Sequence, residues 1–371
     1  MSGRIRFRIF AHSWISDWNH GNAHFLRGLV RELQRLGHEV RCYEEYGAWS
    51  LTNLIEQEGK LAEEAVQQFR QRFSDLDVRL YERGPALVAS LREELRHADV
   101  VLIHEWNDPE VVNSILSLKQ QLGFCALFHD THHRAYTSPG ELLRFQLQLF
   151  DGVLAFGEAI RRIYVDGFGI ARAWTFHEAA DASNFSPRPT SRSIDLLWIG
   201  NWGDEERTRE LMEFLVEPAA SLPNLKAVVY GVRYPEQGKA ALASAGIEYR
   251  GYLPNLEAPS VYAQSAVSLH VPRRHYANGL GGIPTIRVFE ALACGSPLLC
   301  APWEDVEHLF RPGEDYLVVN SGAEMKSNVE WLLKDEAARA QIAANGRDSI
   351  LRRHTCAHRA AQLASICGEL N

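Results

Sequence analysis

Closely spaced cysteines are missing. Six of them (Cys42, Cys125, Cys294, Cys300, Cys356 and Cys367) are scattered over 371 residues with no close pair. That excludes a compact disulfide framework and predicts buried free thiols in a reducing cytoplasm. Long hydrophobic runs are missing too. No stretch approaches about 18 uninterrupted apolar residues, so no membrane span is expected. There is no surplus of positive charge: the net charge is −8 and the pI about 6.0. A nucleic-acid partner is not expected, because no basic excess is present to displace phosphate counterions. No short-period repeat is visible. The opening "MSGRIRFRIFAHSW" alternates basic with apolar residues, which reads as a strand and not as a signal peptide. What remains is an ordinary globular composition, 46% apolar and 23% charged, on a chain long enough for two domains.

The first half reads strand, helix, strand. "RIRFRIFAH" sets Ile5, Phe7 and Ile9 against Arg4, Arg6 and Arg8. "GNAHFLRGLVRELQRLG" puts Phe25, Leu26, Leu29, Val30, Leu33 and Leu36 on one helical face, with Gly37 placed to end the helix. "HEVRCY" is a second strand, and the segment from Ser50 to Phe73 is mostly helical. "ADVVLIHEW", "GFCALFHDTHH" and "DGVLAFG" are nearly continuous apolar strands, as in a parallel sheet covered on both faces. A Ser/Pro/Arg-rich stretch, Ala182–Ser193, reads as a linker. Strand–helix alternation then restarts with "IDLLWIG", "LKAVVYG", "AVSLHVP" and "SPLLCAP", and the tail is helical. The expectation is two doubly wound, Rossmann-like α/β domains facing each other across a cleft. Residues 1–181 form the first, 182–193 the linker and 194–353 the second, with a final helix, 354–371, returning to the first domain. Ligands of such sheets bind beyond the carboxyl ends of the strands.

Polar residues sit at those ends. Gly21 opens the first helix, where a glycine lets a ligand approach backbone N–H groups. His104–Glu105–Trp106–Asn107 and His129–Asp130–Thr131–His132–His133 directly follow buried strands. A neutral histidine backed by a carboxylate is the expected unit there, and a zinc site is disfavoured because no spacing motif completes it. After Ile199–Gly200, Arg207 and Arg209 fall in the first turns of a helix. Cations there oppose the helix dipole unless they serve an anion such as a diphosphate, or pair with neighbouring acids. The segment "GGIPTIRVFEALACGSPLLCAPW", Gly281–Trp303, opens a helix on glycines and carries Glu290 near its end.

In this order and spacing the chain resembles the GT-B glycosyltransferases of the retaining, nucleotide-sugar class, nearest the spore-maturation-protein-like branch. The resemblance rests on "HGNAHFLRGLVRELQRLGHEV", "LFHDTHH", "AWTFHEAADASNFSP", "LLWIGN" with Arg207, "IPTIRVFEALACGSPLL" and "RPGEDYLVV". It implies that Asn201, Arg207, Gly282, Thr285 and Ile286 line the donor diphosphate and that Glu290 takes the ribose hydroxyls. It places Gly21, His104, His129 and Asp130 on the acceptor side. The chemistry implied is metal-independent transfer from a UDP- or GDP-sugar to an unidentified acceptor, with retention, in the cytoplasm and without a resident cofactor. Two departures stand out: Gly282 occupies the place of a glutamate often found eight residues before the second one, and Asn201 that of an arginine. They motivate one alternative to the transferase, a non-catalytic sugar-nucleotide-binding subunit; a nucleotide-sugar epimerase on the same fold is the other alternative.

Overall fold

The computed structural model describes residues 3–370 and divides into two compact units. One comprises the chain up to Glu178 together with the final helix from Cys356; the other is Ala179–Thr355. The chain therefore changes unit at 178/179 and 355/356. The stretch 182–193 belongs to the second unit: Ser193 N donates to Gln264 O at 3.0 Å, and Arg188 reaches Ser260 Oγ.

Seven strands build the first sheet: β1 Arg6–Phe10, β2 Glu39–Glu45, β3 Val78–Tyr81, β4 Val100–His104, β5 Cys125–Asp130, β6 Gly152–Ala155 and β7 Ala173–Thr175. Their order is β3-β2-β1-β4-β5-β6-β7, all parallel. Central strands of such a sheet are covered on both faces, which is why β4 and β5 are almost wholly buried. The amphipathic reading of β1 fails for the same reason. Arg8 is only 1% exposed, and its guanidinium is satisfied by Phe7 O, Glu94 O and Glu39 Oε1. The first helix, Ala23–Arg35, buries Phe25, Leu26, Leu29, Val30 and Leu33. Leu36 lies beyond its last turn and is exposed, and Gly37 follows with φ +88°. The final helix, Cys356–Leu370, buries Ala360, Leu363 and Ile366 in this unit. It is tied by Gln362 Nε2 to Thr175 O (2.8 Å) and Arg359 Nε to His177 O (2.8 Å).

The second sheet contains β8 Ile194–Ile199, β9 Ala227–Tyr230, β10 Glu248–Tyr249, β11 Ser265–His270, β12 Leu298–Cys300 and β13 Leu317–Val318, in the order β10-β9-β8-β11-β12-β13. Trp198, Leu211, Val229, Leu269 and Leu299 are among its core side chains. In each unit the first strand is flanked by the second and the fourth. The winding reverses between β1 and β4, and again between β8 and β11. Those two crevices are where this topology leaves room for a ligand. The short edge strands β3, β7 and β10 lack a hydrophobic signature of their own.

Candidate active site

In the second unit the crevice between β8 and β11 is organised by Arg207. After β8 the chain runs Gly200–Asn201–Trp202–Gly203. Gly203 has φ +79°, and a Cβ there would stand 2.9 Å from Arg207 Nε, so glycine both makes the turn and leaves the arginine its space. Arg207 is 7% exposed. Its Nη2 donates to Asn201 O (2.8 Å) and Oδ1 (2.6 Å), its Nη1 to Val271 O (3.1 Å), and its guanidinium lies 5.1 Å from the Trp198 ring centroid. Nε is buried with no hydrogen-bond partner among the described residues. Burial, reinforced by the charge of Arg273, lowers the Arg207 pKa to about 9. A cation so placed is held by neutral oxygens, and its surroundings favour an arriving anion.

Arg273, three residues beyond β11, adds a second cation; it is bound to Glu206 and lies 3.5 Å from Asn201 Oδ1. His270, at the end of β11, is buried, and its Nε2 meets Thr285 Oγ1 at 3.1 Å. Burial and the Arg207 charge lower its pKa to about 3, so it is neutral. Thr285 is the residue before the helix Ile286–Ala293; its hydroxyl serves His270 and does not cap the helix. Asn201, Arg207, Arg273, His270 and Thr285 thus form one connected edge, with Ile286 buried behind it.

Glu290 lies in the helix that follows Thr285. It is fully buried, accepts from Tyr262 OH at 3.1 Å and pairs with Arg287 one turn earlier. The acidic residue is an internal ion-pair partner in this structure and not an open surface group. Gly282 has φ +85°, and a Cβ there would come within 2.7 Å of Val306 Cγ2 and 2.9 Å of Glu307 Cγ. A glutamate there would meet a strained backbone and the side chains of Val306 and Glu307. Arg209 is exposed and lines a separate open hollow of about 460 Å³ with Lys326 and Glu213.

The first unit gathers imidazoles at the crevice between β1 and β4. His12 follows β1, and its ring centroid lies 4.1 Å from that of His20 and 5.3 Å from that of His104. His104 and His129 are 5.3 Å apart. His104 Nε2 meets Thr131 Oγ1 at 3.1 Å. His129 packs edge-on to Phe176, and neither of its ring nitrogens has a hydrogen-bond partner among the described residues. The expected His129–Asp130 unit does not form. Neighbours on a strand point to opposite faces, and Asp130 accepts instead from Tyr164 OH (2.7 Å) and His132 N (2.9 Å). Behind it lies a second buried carboxyl, Glu105, which takes Thr131 N at 2.7 Å and Arg134 at 2.9 Å. Burial, then the charge of Asp130, raises Glu105 well above the carboxylate range. Gly21 is half-buried, and its carbonyl accepts from His24 Nδ1 at 3.1 Å; the left-handed residue of that loop is Asn19, φ 52°.

Residues 207–365 match the family model described as "Glycosyl transferase-like", and residues 20–180 match the model "Glycosyltransferase Family 4". The chain belongs to the GT-B glycosyltransferases. Several solved structures share the fold over 99% of this chain. HepE from Anabaena, in complex with UDP and glucose, superposes with a TM-score of 0.70 at 14% identity over 100% of its own length. Sucrose-phosphate synthase from Thermosynechococcus elongatus gives 0.69 at 15% over 99% of its chain. T4 phage BGT, in complex with its UDP-glucose substrate, gives 0.63 at 12% over 99% of its chain. At these identities the likeness is one of fold. No curated protein matches the sequence.

Within this GT-B chain some site residues were legible and others were not. Arg207 and Thr285 come together through Asn201, Val271 and His270, as described. Arg273 was missed, although an arginine pair placed just after the buried strand "AVSLHVP" was the available signal. Glu105 was named only as one of a run of polar residues; its burial against Asp130 comes from pairing β4 with β5.

Proposed function

We propose that this glycosyltransferase moves a hexose from a nucleoside-diphosphate sugar, UDP- or GDP-linked, to an acceptor hydroxyl with retention of configuration, and that it needs neither a metal ion nor a resident cofactor. The observation that carries the reading is Arg207, a buried cation held by carbonyl and amide oxygens at the carboxyl edge of the second sheet, with Arg273 beside it. Two arginines there supply the charge that a leaving diphosphate requires. The presence of UDP or UDP-glucose in HepE and T4 phage BGT supports the same donor class. In this reading the acceptor oxygen bonds to the anomeric carbon as the bond from that carbon to the diphosphate oxygen breaks. The electron pair leaves with the diphosphate, which also receives the acceptor proton. Glu290 is assigned to the ribose hydroxyls, which it reaches by exchanging its Arg287 contact. His104 and His129, with the loop at Gly21, belong to the acceptor side, and Asp130 orients that side through Tyr164 and His132.

The test is incubation with a panel of UDP- and GDP-hexoses, following diphosphate release and melting temperature. One donor should raise the melting temperature and be slowly hydrolysed in the presence of EDTA. Arg207→Ala should abolish the shift and Arg209→Ala should keep it. Loss of hydrolysis in EDTA with rescue by manganese would overturn metal independence. A new sugar epimer would establish the epimerase, and equal, small effects of the two arginine changes would remove Arg207 from the donor site.

A further inference from the structure

Trp106 is a large aromatic side chain left 43% exposed at the carboxyl edge of the first sheet, two residues after β4. It is exposed but held. The Arg134 guanidinium lies 4.1 Å from the indole centroid. Arg134 is in turn fixed by Glu105, through its carboxylate at 2.9 and 3.1 Å and its carbonyl at 2.8 Å. His132 packs edge-on to the same ring at 5.1 Å. A buried carboxyl thus positions an arginine, and the arginine positions an indole, so that a flat electron-rich face is set in place at the surface.

The polar groups beside that indole are imidazoles. The His12 ring is 6.2 Å from Trp106, with His104 and His129 beyond it. His12 Nδ1 and both nitrogens of His129 are buried without a hydrogen-bond partner among the described residues. Burial lowers the pKa of His12 and of His129 to about 3 and that of His104 well below 6.5, so at neutral pH these rings carry no charge. A neutral imidazole offers one donor and one acceptor, which matches a sugar hydroxyl. The cations near the cluster are already paired, Arg134 with the Glu105–Asp130 carboxyl pair and with Glu141 at 3.7 Å, and Arg27 with Asp17. An acceptor carrying a phosphate or carboxylate would find no uncompensated positive charge there.

We propose that Trp106 is the stacking platform of an acceptor subsite for a neutral carbohydrate, a pyranoside whose C–H face lies on the indole while the neighbouring histidines take its hydroxyls. This rests on the transferase reading above, since only a transferase needs an acceptor. The indole is a binding group, and Arg134 and Glu105 are positioning residues that act through it.

The experiment uses the full chain saturated with UDP or GDP, whichever raises its melting temperature. Saturation-transfer NMR is recorded with the methyl glycosides of glucose, galactose, mannose and N-acetylglucosamine, and with farnesyl phosphate as the anionic lipid alternative. At least one glycoside should bind saturably. Trp106→Ala should weaken that binding at least tenfold and Trp106→Phe should recover part of it. Trp49→Ala, at another exposed tryptophan of the same unit, should change nothing. The nucleotide-induced melting shift should be the same in all variants. A chain that still responds to nucleotide but binds no glycoside, binds it equally well without Trp106, or prefers farnesyl phosphate overturns the proposal and leaves the donor assignment standing. A chain that responds to no nucleotide overturns the transferase reading, and the acceptor proposal with it.

Discussion

Glu290 and Gly282 sit eight residues apart on the same segment, and each meets a different constraint. Glu290 has lost all contact with solvent and relies on Tyr262 and Arg287. Glu290→Gln keeps the shape and removes the charge. If the carboxylate binds ribose, nucleotide affinity should fall by roughly 10- to 150-fold, because a hydrogen bond to a charged group is worth about 1.5–3 kcal/mol. Calorimetry with the responding nucleotide checks this, and an unchanged affinity with a lowered melting temperature would leave Glu290 a purely internal partner of Arg287. Gly282→Glu restores the residue common at that place in the family, yet it should impair the protein. A side chain at φ +85° costs about 1–3 kcal/mol, and its Cβ would overlap Val306. Thermal melting should fall and donor hydrolysis should not rise. A gain in turnover without loss of stability would show that the backbone here yields.

The loop from Ala11 to Asn22 shows what an element needs to hold chemistry in place. It contains no regular structure, yet two side chains from neighbouring elements fix it. Glu44, in β2, accepts from Trp14 N at 2.6 Å and Ile15 N at 2.9 Å. Arg27, in the first helix, donates to Trp14 O (2.9 Å), Ile15 O (3.3 Å) and Asp17 Oδ2 (3.0 Å), and its guanidinium lies over Phe69. His12 and His20 are carried by this loop. Arg27→Met should therefore destabilise the protein by roughly 3 kcal/mol, since removing one side of a buried ion pair strands the other. Hydrogen exchange should quicken in residues 12–20 before it does in β1. Uniform exchange across the first unit would mean that Arg27 stabilises the core generally. The sequence displayed Arg27 as one more charged position on an amphipathic helix. Its role appears only when the loop, β2 and the helix are packed together.

For the whole molecule, buried titratable groups set the response to acid. His12, His129 and His270 have pKa values lowered by burial to about 3 from an ordinary 6.5. Their contribution to stability is present above the unfolded value and is lost as pH falls through the folded one. Glu44, raised by burial to about 7, has the opposite sign: its contribution is present below the ordinary 4.5 and is lost as pH rises through 7. The two effects oppose each other between about 4.5 and 6.5. Below about 4.5 the raised carboxyls are protonated in both states, and the imidazoles, at roughly 1.4 kcal/mol per pH unit for each, act in the same direction as carboxylates held low by arginines, such as Glu158 beside Arg161 at about 2. Melting temperature should therefore drop steeply from about pH 4.5 to 3. His129→Asn should flatten that limb by about one proton, and an unchanged slope would show that His129 is not neutral in the folded chain.

The sequence determined what depends on local periodicity and composition. Apolar runs at β4 and β5, the helix face at Phe25–Leu33 and the repeated strand–helix alternation were enough for two parallel α/β units, because burial on both faces of a sheet writes itself directly into the chain. It also marked Arg207, since a cation in a first helical turn is locally anomalous. Tertiary structure decided the partners. Pairing β4 with β5 put Glu105 beside Asp130 and turned Asp130 toward Tyr164 and His132, leaving His129 among aromatic rings. The packing of β1 between β2 and β4 buried an arginine that the alternation had placed outside. It brought His12 to His104 across 92 residues of chain, and the pairing of β8 with β11 brought Arg207 to Val271 across 64. Such contacts depend on which strand lies next to which, and no local pattern encodes the neighbour that a side chain will meet.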